Sequence, residues 1–258
     1  MFQNRSWILG FKRRPSPPRY FIWGKHRSFA DYIAVTGTNR VMHKLSAWAQ
    51  REKTLTIVNR CVDEARQRHW HYWMITDNRL HLGLMSISRD RGGRPSLLII
   101  SGCGPEMAVG HEWERINTAG TASRHAMMKM AAGEIVDMDD LHRQLSGLPW
   151  PDPAEPAPVD PHRRNDAIRK IRDSIQTDRA RCLNDKTVRF RTIDDDVAGE
   201  DDPVWPEALR HVMQIRPKSM FWRTAGDITT MVLFFREMIE TDFIDLWETD
   251  SRIPATAT

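Results

Sequence analysis

The stretch that decides the fold runs from His71 to Ser101 and reads HYWMITDNRLHLGLMSISRDRGGRPSLLIIS. It holds three runs rich in aromatic and aliphatic residues, separated by two segments rich in Asp, Asn and Gly. The runs span residues 71–76, 80–88 and 96–101, and the separating segments are Asp77-Asn78 and Asp90–Gly93. Because such segments form tight turns, the pattern predicts three consecutive antiparallel strands. The last strand carries Leu97-Leu98-Ile99-Ile100, an uninterrupted apolar run that predicts burial on both faces.

Helical periodicity is found on both sides of this strand region. Val41, Leu45 and Trp48 recur at the i, i+4 and i+7 spacing of an amphipathic helix. Similar patterns predict helices at 55–68, 105–116, 123–145, 162–183, 205–215 and 240–247, and strands at 20–23, 187–193, 219–223 and 229–235. We therefore predict an α/β (α+β) fold in a single domain, with a mixed or antiparallel central sheet flanked by helices.

The chain divides into one predicted domain and two short ends. We assign residues 19–250 to the α/β domain, residues 1–18 to an N-terminal extension and residues 251–258 to a flexible tail. Inside the domain, residues 149–161 contain six prolines in thirteen positions. This composition predicts a surface loop or a semi-rigid extended linker.

Composition excludes several classes of protein. Of 258 residues, 40% are hydrophobic and 28% are charged, which is ordinary for a globular protein and excludes a disordered or collagen-like chain. The three cysteines fit a reducing compartment better than a disulfide framework. No apolar run approaches the roughly 18 residues that span a bilayer, and the first residues do not match a secretory signal. We expect a cytoplasmic protein without membrane insertion.

Patterns for common cofactor and hydrolase sites are missing from the sequence. There is no P-loop, no GxGxxG dinucleotide pattern and no GxSxG nucleophile elbow. Cys103 follows an apolar strand and precedes a predicted helix, so a cysteine hydrolase with His111 or His125 as its base is one alternative. Its other reading is a small buried residue in a tight turn, and we predict no catalytic residue.

Three histidines raise the question of a metal site. His69 and His71 are predicted on one side of a strand, and His81 is expected to lie across the hairpin from them, so three imidazoles would be available for zinc. The residues between them include Trp70, an aromatic that favours a packed sheet face over a metal centre. We predict no metal and no cofactor.

The helix predicted at 162–183 is strongly basic. Its cations outnumber its carboxylates. The cations are Arg163, Arg164, Arg169, Lys170, Arg172, Arg179 and Arg181, and the carboxylates are Asp166, Asp173 and Asp178. Such a helix could contact phosphates, so a nucleic-acid-binding accessory protein is the main alternative function. The other reading is a surface helix that packs its isoleucine stripe on the sheet with solvated arginines. With a net charge of only +4, binding of nucleic acid is not the expected function.

Three separate segments combine a predicted strand or turn with characteristic Gly, Asp or Trp residues. They are Trp23-Gly24-Lys25-His26 with Ala30-Asp31-Tyr32 and the helical Trp48; Leu82-Gly83-Leu84 leading into Ser88-Arg89-Asp90-Arg91-Gly92-Gly93-Arg94-Pro95; and Ser219-Met220-Phe221-Trp222 with Gly226. Together these segments resemble one family, the TagF (also called ImpM) accessory proteins of bacterial type VI secretion. Ala30 and Tyr32 stand where the family typically has Gly and Phe.

The resemblance implies a regulatory role without catalysis. TagF-like proteins are post-translational repressors of type VI secretion, acting with a forkhead-associated scaffold protein and opposing a phosphorylation-driven activation branch. On this basis the expected partners are type VI secretion components, with a forkhead-associated protein first among them. The candidate partner-binding positions carried over from the motifs are Gly24, Lys25, Asp31, Trp48, Ser88, Asp90, Gly93, Arg94 and Trp222.

The same residues also have a purely physical reading. Gly24 permits a tight turn at the end of a strand. Asp90 can accept backbone N–H bonds across its turn, and the planar guanidinium of Arg94 could clamp Asp90 or Asp31. Such an Asp–Arg pair either pins a turn or forms part of a recognition patch, and the sequence leaves both readings open.

Overall fold

The computed structural model describes residues 17–37, 39–63, 69–105, 113–151, 159–185, 187–193, 204–213, 215–225 and 228–248. The strands are β1 (Arg19–Lys25), β2 (Tyr32–Val35), β3 (His69–Thr76), β4 (Arg79–Arg89), β5 (Pro95–Pro105), β6 (Thr187–Ile193), β7 (Ser219–Ala225) and β8 (Ile228–Phe234). The helices are α1 (Arg40–Ala49), α2 (Glu52–Asp63), α3 (Arg115–Ala119), α4 (Thr121–Ala132), α5 (Met138–Ser146), α6 (Pro161–Asp185), α7 (Val204–Met213) and α8 (Glu240–Glu248).

The described strands form one eight-stranded sheet in the order β2-β1-β5-β4-β3-β7-β8-β6. Every pairing in it is antiparallel. The predicted meander of β3, β4 and β5 is confirmed and occupies the middle of the sheet. Asp77 and Asn78 form the β3–β4 turn with φ of 52° and 55°, the left-handed pair that a two-residue hairpin favours. The α/β class with an antiparallel sheet flanked by helices is therefore confirmed.

Helices cover both faces of the sheet and give two apolar cores. On the first face, helices α3 to α7 pack over residues such as Leu84, Ile100 and Trp222. On the second face, α1, α2 and α8 pack over residues such as Tyr72 and Ile99. Side chains alternate between the faces along each strand, so neighbouring residues of β5 contribute to different cores. Burial of Leu97 to Ile100 on both faces, as the sequence predicts, follows from this arrangement.

Several predicted boundaries are wrong. The predicted helix at 123–145 is two helices, because the chain breaks at Gly133 and Asp137 then caps α5 by accepting from Asp140 N at 2.8 Å. The helix predicted from residue 105 is also wrong at its start, since β5 continues to Pro105. The short strand β2 escaped prediction.

Other predictions fall partly or wholly on residues outside the described ranges. These are the extension at 1–18 apart from its last two residues, the tail at 251–258, and most of the proline-rich stretch, 152–158. Within the described ranges, no helix combines the length and the apolar character that crossing a membrane requires.

Candidate functional site

Lys25, Asp90 and Arg94 come together at the end of the sheet where β1 finishes and the β4–β5 loop begins. Nζ of Lys25 lies 3.2 Å from Oδ2 of Asp90, and Nε of Arg94 donates to the same oxygen at 2.7 Å. The backbone N–H of Arg94 donates to Oδ1 of Asp90 at 2.9 Å. Of the two partners that the sequence offered to Arg94, the structure selects Asp90.

Asp90 is ionised in this arrangement. Its carboxyl is removed from solvent, which by itself raises a carboxyl pKa. The Arg94 backbone N–H, the Lys25 ammonium and the Arg94 guanidinium act in the opposite direction and together lower the pKa of Asp90 to about 2. A carboxylate held so firmly in its charged form is a poor general base, and it serves here as the acceptor that organises its loop.

Gly24 is required by the close approach of β1 to β5. Its φ is +126°, in the region that favours glycine. A Cβ at this position would lie 2.0 Å from the carbonyl oxygen of Leu97, a distance no side chain can adopt. The glycine therefore lets β1 lie close to β5, so that the adjacent Lys25 reaches Asp90 in the β4–β5 loop.

Hydrogen bonds to backbone carbonyls join the β4–β5 loop to the loop between β1 and β2. The N–H of Arg91 donates to the carbonyl of Phe29 at 2.8 Å, and the Arg91 guanidinium donates to the carbonyl of Ser28. Nη2 of Arg94 donates to the carbonyl of Ala30. The buried ion pair and these bonds hold two loops that are far apart in the sequence as one unit.

We call the exposed part of these two loops the motif surface. Its members share exposure to solvent at one end of the sheet, and they are Arg27, Ala30, Asp31, Tyr32, Arg89, Arg91, Gly92, Gly93 and Arg94. Four of them are arginines and one is a carboxylate, so the loops themselves are cationic. Val136, 79% exposed, adjoins this surface, because the neighbouring Ile135 N–H bonds to Ser28 Oγ at 2.9 Å.

Tyr32 is part of the site although its role was not predicted. Its ring lies 5.2 Å from Nζ of Lys25 and packs against Trp23 with ring centroids 5.3 Å apart. Ser96 Oγ donates to the Tyr32 hydroxyl at 3.0 Å. The cation–π contact shields the Lys25–Asp90 pair while one side of the ring remains exposed. The β-favouring residues Tyr32, Ile33 and Val35 were the available signal, but four residues are a short pattern.

Four predicted positions lie outside the cluster. The Asp31 carboxylate accepts from the N–H of the next residue at 2.8 Å and from no other group in the described part of the chain. Trp48 is buried under the second face against Phe243, and Trp222 is buried in the first face beneath Arg124. Ser88 is a half-buried residue of β4 that pairs with Ser96. For the two tryptophans, the structure supports a packing role.

Cys103 does not occupy a turn before a helix. It lies inside β5, 8% exposed, with its side chain on the second face. His125 is on α4, which packs on the first face, so it cannot reach the thiol, and His111 lies outside the described residues. The imidazole next to Cys103 is instead His81, with Nε2 3.7 Å from Sγ, while Nε of Arg79 lies 3.1 Å from Sγ.

The predicted grouping of three histidines is wrong. His71 pairs with Leu84 and therefore projects to the first face, whereas His81 pairs with Cys103 and projects to the second. The two imidazoles thus lie on opposite sides of the sheet and cannot share a metal ion. Among the described residues, no group of three or more potential ligands is placed to hold a metal.

The basic helix exists as α6, and its packing is visible over its first half. Ala167 and Ile171 are buried in the first core. Arg164 pairs with Glu207 of α7 at 3.1 Å, and Asp166 pairs with both Arg169 and Lys170. Part of the positive charge of α6 is therefore neutralised by neighbouring carboxylates, which weakens its case as a phosphate-binding surface.

Comparison with known proteins gives a remote structural likeness and no likeness in sequence. No family model matches the chain, and no curated protein sequence matches it. Among solved structures, the chain is similar to PA0076 from Pseudomonas aeruginosa PAO1, whose crystal structure was determined at 2.05 Å resolution. The sequence identity is 12% and the TM-score is 0.45, over 93% of this chain and 98% of that chain.

Proposed function

We propose that this protein is a non-enzymatic accessory protein of a bacterial type VI secretion system. It acts in the cytoplasm as a post-translational repressor by binding a partner protein, and the expected partner is a forkhead-associated scaffold. The system and the partner rest on the resemblance of its motifs to the TagF family. The binding mode rests on the arrangement of those motifs in three dimensions.

The observation that carries the proposal is the convergence of Lys25, Asp90 and Arg94. These residues come from two of the three family-like segments and meet at the buried carboxylate of Asp90. A protein can fold stably without an ion-paired cluster beneath its exposed loops. Here it fixes two of them, and the motif surface is presented on a rigid base, which lowers the entropy lost on binding.

The composition of the motif surface fits recognition of a protein. Arginine and tyrosine are the residue types that contribute most to protein interfaces, and both are exposed here beside the apolar Val136. The guanidinium of Arg91 or Arg89 would pair with carboxylates of the partner, and Tyr32 would contribute apolar area. Salt should weaken such an interface only moderately, since Tyr32 and Val136 contribute apolar contacts that salt does not screen.

Capture of the tagged full-length protein from nuclease-treated lysate of its native host tests the proposal. Recovery of a forkhead-associated protein or other type VI secretion subunits, retained between about 50 and 200 mM salt, supports it. Recovery of nucleic-acid-binding proteins that disappear on nuclease treatment contradicts it and favours the alternative role of α6. Recovery of neither class also contradicts it.

A further inference from the structure

A second feature lies at the other end of the sheet from the motif surface. A cleft of about 760 Å³ opens where β1 and β7 begin and where β3 turns into β4. The seven residues of β1 separate it from the motif surface by roughly 20 Å. Its volume is within the range of roughly 300–1,000 Å³ that small-molecule sites occupy.

The rim of this cleft is cationic. Six basic residues and two acidic residues line it. The basic residues are Arg19, Arg40, Lys44, Arg79, Lys218 and Arg236, and the acidic residues are Asp77 and Glu237. Arg236 is neutralised by two bonds to Asp242, at 2.6 and 2.8 Å. The exposed side chains of Arg19, Arg40 and Lys218 have no carboxylate partner in the described part of the chain. This leaves an excess of positive charge around the opening.

The first turn of α1 adds backbone donors to the same cleft. Asn39 caps the helix through Oδ1, which accepts from Met42 N at 3.0 Å, and both Arg40 and Val41 line the opening. The amides of the first helical turn have no partner within the helix, and they carry the positive end of its dipole. An anion placed here would meet N–H groups and a guanidinium together.

Three buried polar side chains lining the cleft have a hydrogen-bonding atom without a partner among the described residues. These atoms are Nδ2 of Asn39, Nδ1 of His81 and Oγ of Ser219. The residues are 8%, 5% and 3% exposed. Buried polar groups almost always find a partner, so three such atoms around one cleft mark it as a place where polar groups of a ligand would be satisfied.

One wall of the cleft is apolar. Phe21, Leu45, Trp48 and Met74 line it, and all four belong to or pack against the second core. A purely inorganic anion would leave this wall uncovered. A ligand with an aromatic or aliphatic body would cover it while its charged group engages the rim.

We propose that this cleft binds a small organic anion. The anionic group, a phosphate ester or a carboxylate, lies at the start of α1 between Arg40 and Lys218, and the apolar body lies against Trp48 and Met74. Cys103 also lines the cleft, so a bound ligand covers its thiol. The site is distinct from the motif surface and does not depend on which partner that surface binds.

Ligand-observed NMR with the full-length chain tests the site. The probes are phenyl phosphate and benzoate, with benzyl alcohol as the neutral control of similar shape. We expect both anions to bind more tightly than benzyl alcohol, and the tighter of the two identifies the class of anionic group. We also expect the better probe to slow the alkylation of Cys103 by N-ethylmaleimide, with the fully buried Cys61 as the internal reference.

Two variants locate the anion. Arg40→Ala should weaken binding about tenfold, the value of one charge-assisted hydrogen bond. Asn39→Asp preserves the helix cap, but it replaces the unpartnered donor by a negative oxygen, so binding should be lost while Tm is unchanged. Arg172→Ala, an exposed arginine of α6 away from the cleft, is the matched control and should bind like the wild type.

Several results would overturn the site. They are failure of both anions to bind the wild type at millimolar concentration, equal affinity for benzyl alcohol, and unchanged affinity in Arg40→Ala. Binding that leaves the alkylation of Cys103 unaffected would place the probe elsewhere and would equally overturn it.

Discussion

The ammonium of Lys25 lies 3.2 Å from the carboxylate of Asp90, and both side chains are almost completely buried. Lys25 ends β1, whereas Asp90 opens the β4–β5 loop. Burying two charges is costly unless each is well paired, and Asp90 satisfies this condition with additional bonds from Arg94. The pair therefore couples the order of the loops to the integrity of the sheet.

Asp90→Asn should destabilise the protein, most strongly near neutral pH. The substitution leaves the Lys25 ammonium buried without an opposite charge. In the wild type the folded pKa of Asp90, about 2, is below that of the unfolded chain, so its contribution is complete above pH 5 and is lost as the pH falls toward 2. Urea denaturation at pH 7 and pH 3 measures the effect.

The difference in unfolding free energy between wild type and Asp90→Asn should shrink at pH 3. Asp31→Asn is the matched control, because Asp31 is exposed and, within the described ranges, its carboxylate bonds to no residue except its neighbour Tyr32. An equal loss in Asp90→Asn at both pH values would show that the charge of Asp90 is unimportant.

Gly24→Ala should destabilise the protein by about 2–4 kcal/mol. The added methyl group would meet the Leu97 carbonyl, and the positive φ would be strained as well. Gly147→Ala is the control, since Gly147 has φ of −86° and its nearest contact to an added Cβ is an ordinary 3.4 Å. Thermal unfolding should separate the two variants, and equal Tm values would contradict the close approach of β1 and β5.

His81 should make the fold sensitive to mild acid. Burial, followed by the nearby Arg79 guanidinium, lowers the pKa of His81 to about 4, against the weaker opposing effect of Asp77. The unfolded chain therefore binds a proton between pH 6.5 and 4 that the folded chain does not, and stability falls across this window by about 2–3 kcal/mol.

His81→Gln should reduce this slope without abolishing it, because burial also lowers the pKa of His26. Urea midpoints measured at several pH values between 7 and 4 provide the comparison. Wild type and His81→Gln with the same slope would mean that His81 titrates normally in the folded protein.

The middle of the sheet could be predicted from sequence because its signals are local. Asp77-Asn78 joins two strongly apolar strands through a turn whose geometry few other dipeptides accept. The Asp90–Arg94 clamp was equally accessible, since it closes over four residues. Antiparallel order in the β3–β4–β5 meander follows from these two short connections.

The remaining features depend on contacts between distant segments. β5 continues through Gly102 and Gly104, where the side chains of Tyr20 and Trp150 occupy the space that a Cβ would need. Because Tyr20 and Trp150 are distant from β5 in the sequence, no local pattern reveals these contacts. Without these contacts, the glycines on both sides of Cys103 indicate a turn, although the residue lies in a strand. Pairing register also placed His81 on the face opposite His71, which spacing along the sequence cannot decide before the hairpin is aligned.

Only part of the candidate site could be predicted, because it also depends on contacts between distant segments. Lys25 and Arg94 were identified by their motifs, but their meeting at Asp90 requires β1 to lie beside β5. The cationic cleft had no sequence signal, because its rim comes from the starts of β1, α1 and β7 together with the β3–β4 turn.

Charge reversal on the motif surface tests directly whether the two joined loops bind a protein partner. Arg91→Glu loses the guanidinium bond to the Ser28 carbonyl, but it preserves the backbone bond of Arg91 to Phe29 and leaves the bonds around Asp90 in place, so the fold should be retained. Arg172→Glu makes the same change on α6. Quantitative capture of partners from nuclease-treated lysate compares both variants with the wild type.

We expect Arg91→Glu to capture at least about tenfold less partner at a Tm close to that of the wild type, while Arg172→Glu captures as much as the wild type. Full capture by Arg91→Glu together with loss in Arg172→Glu would contradict this expectation and would move the binding surface to α6.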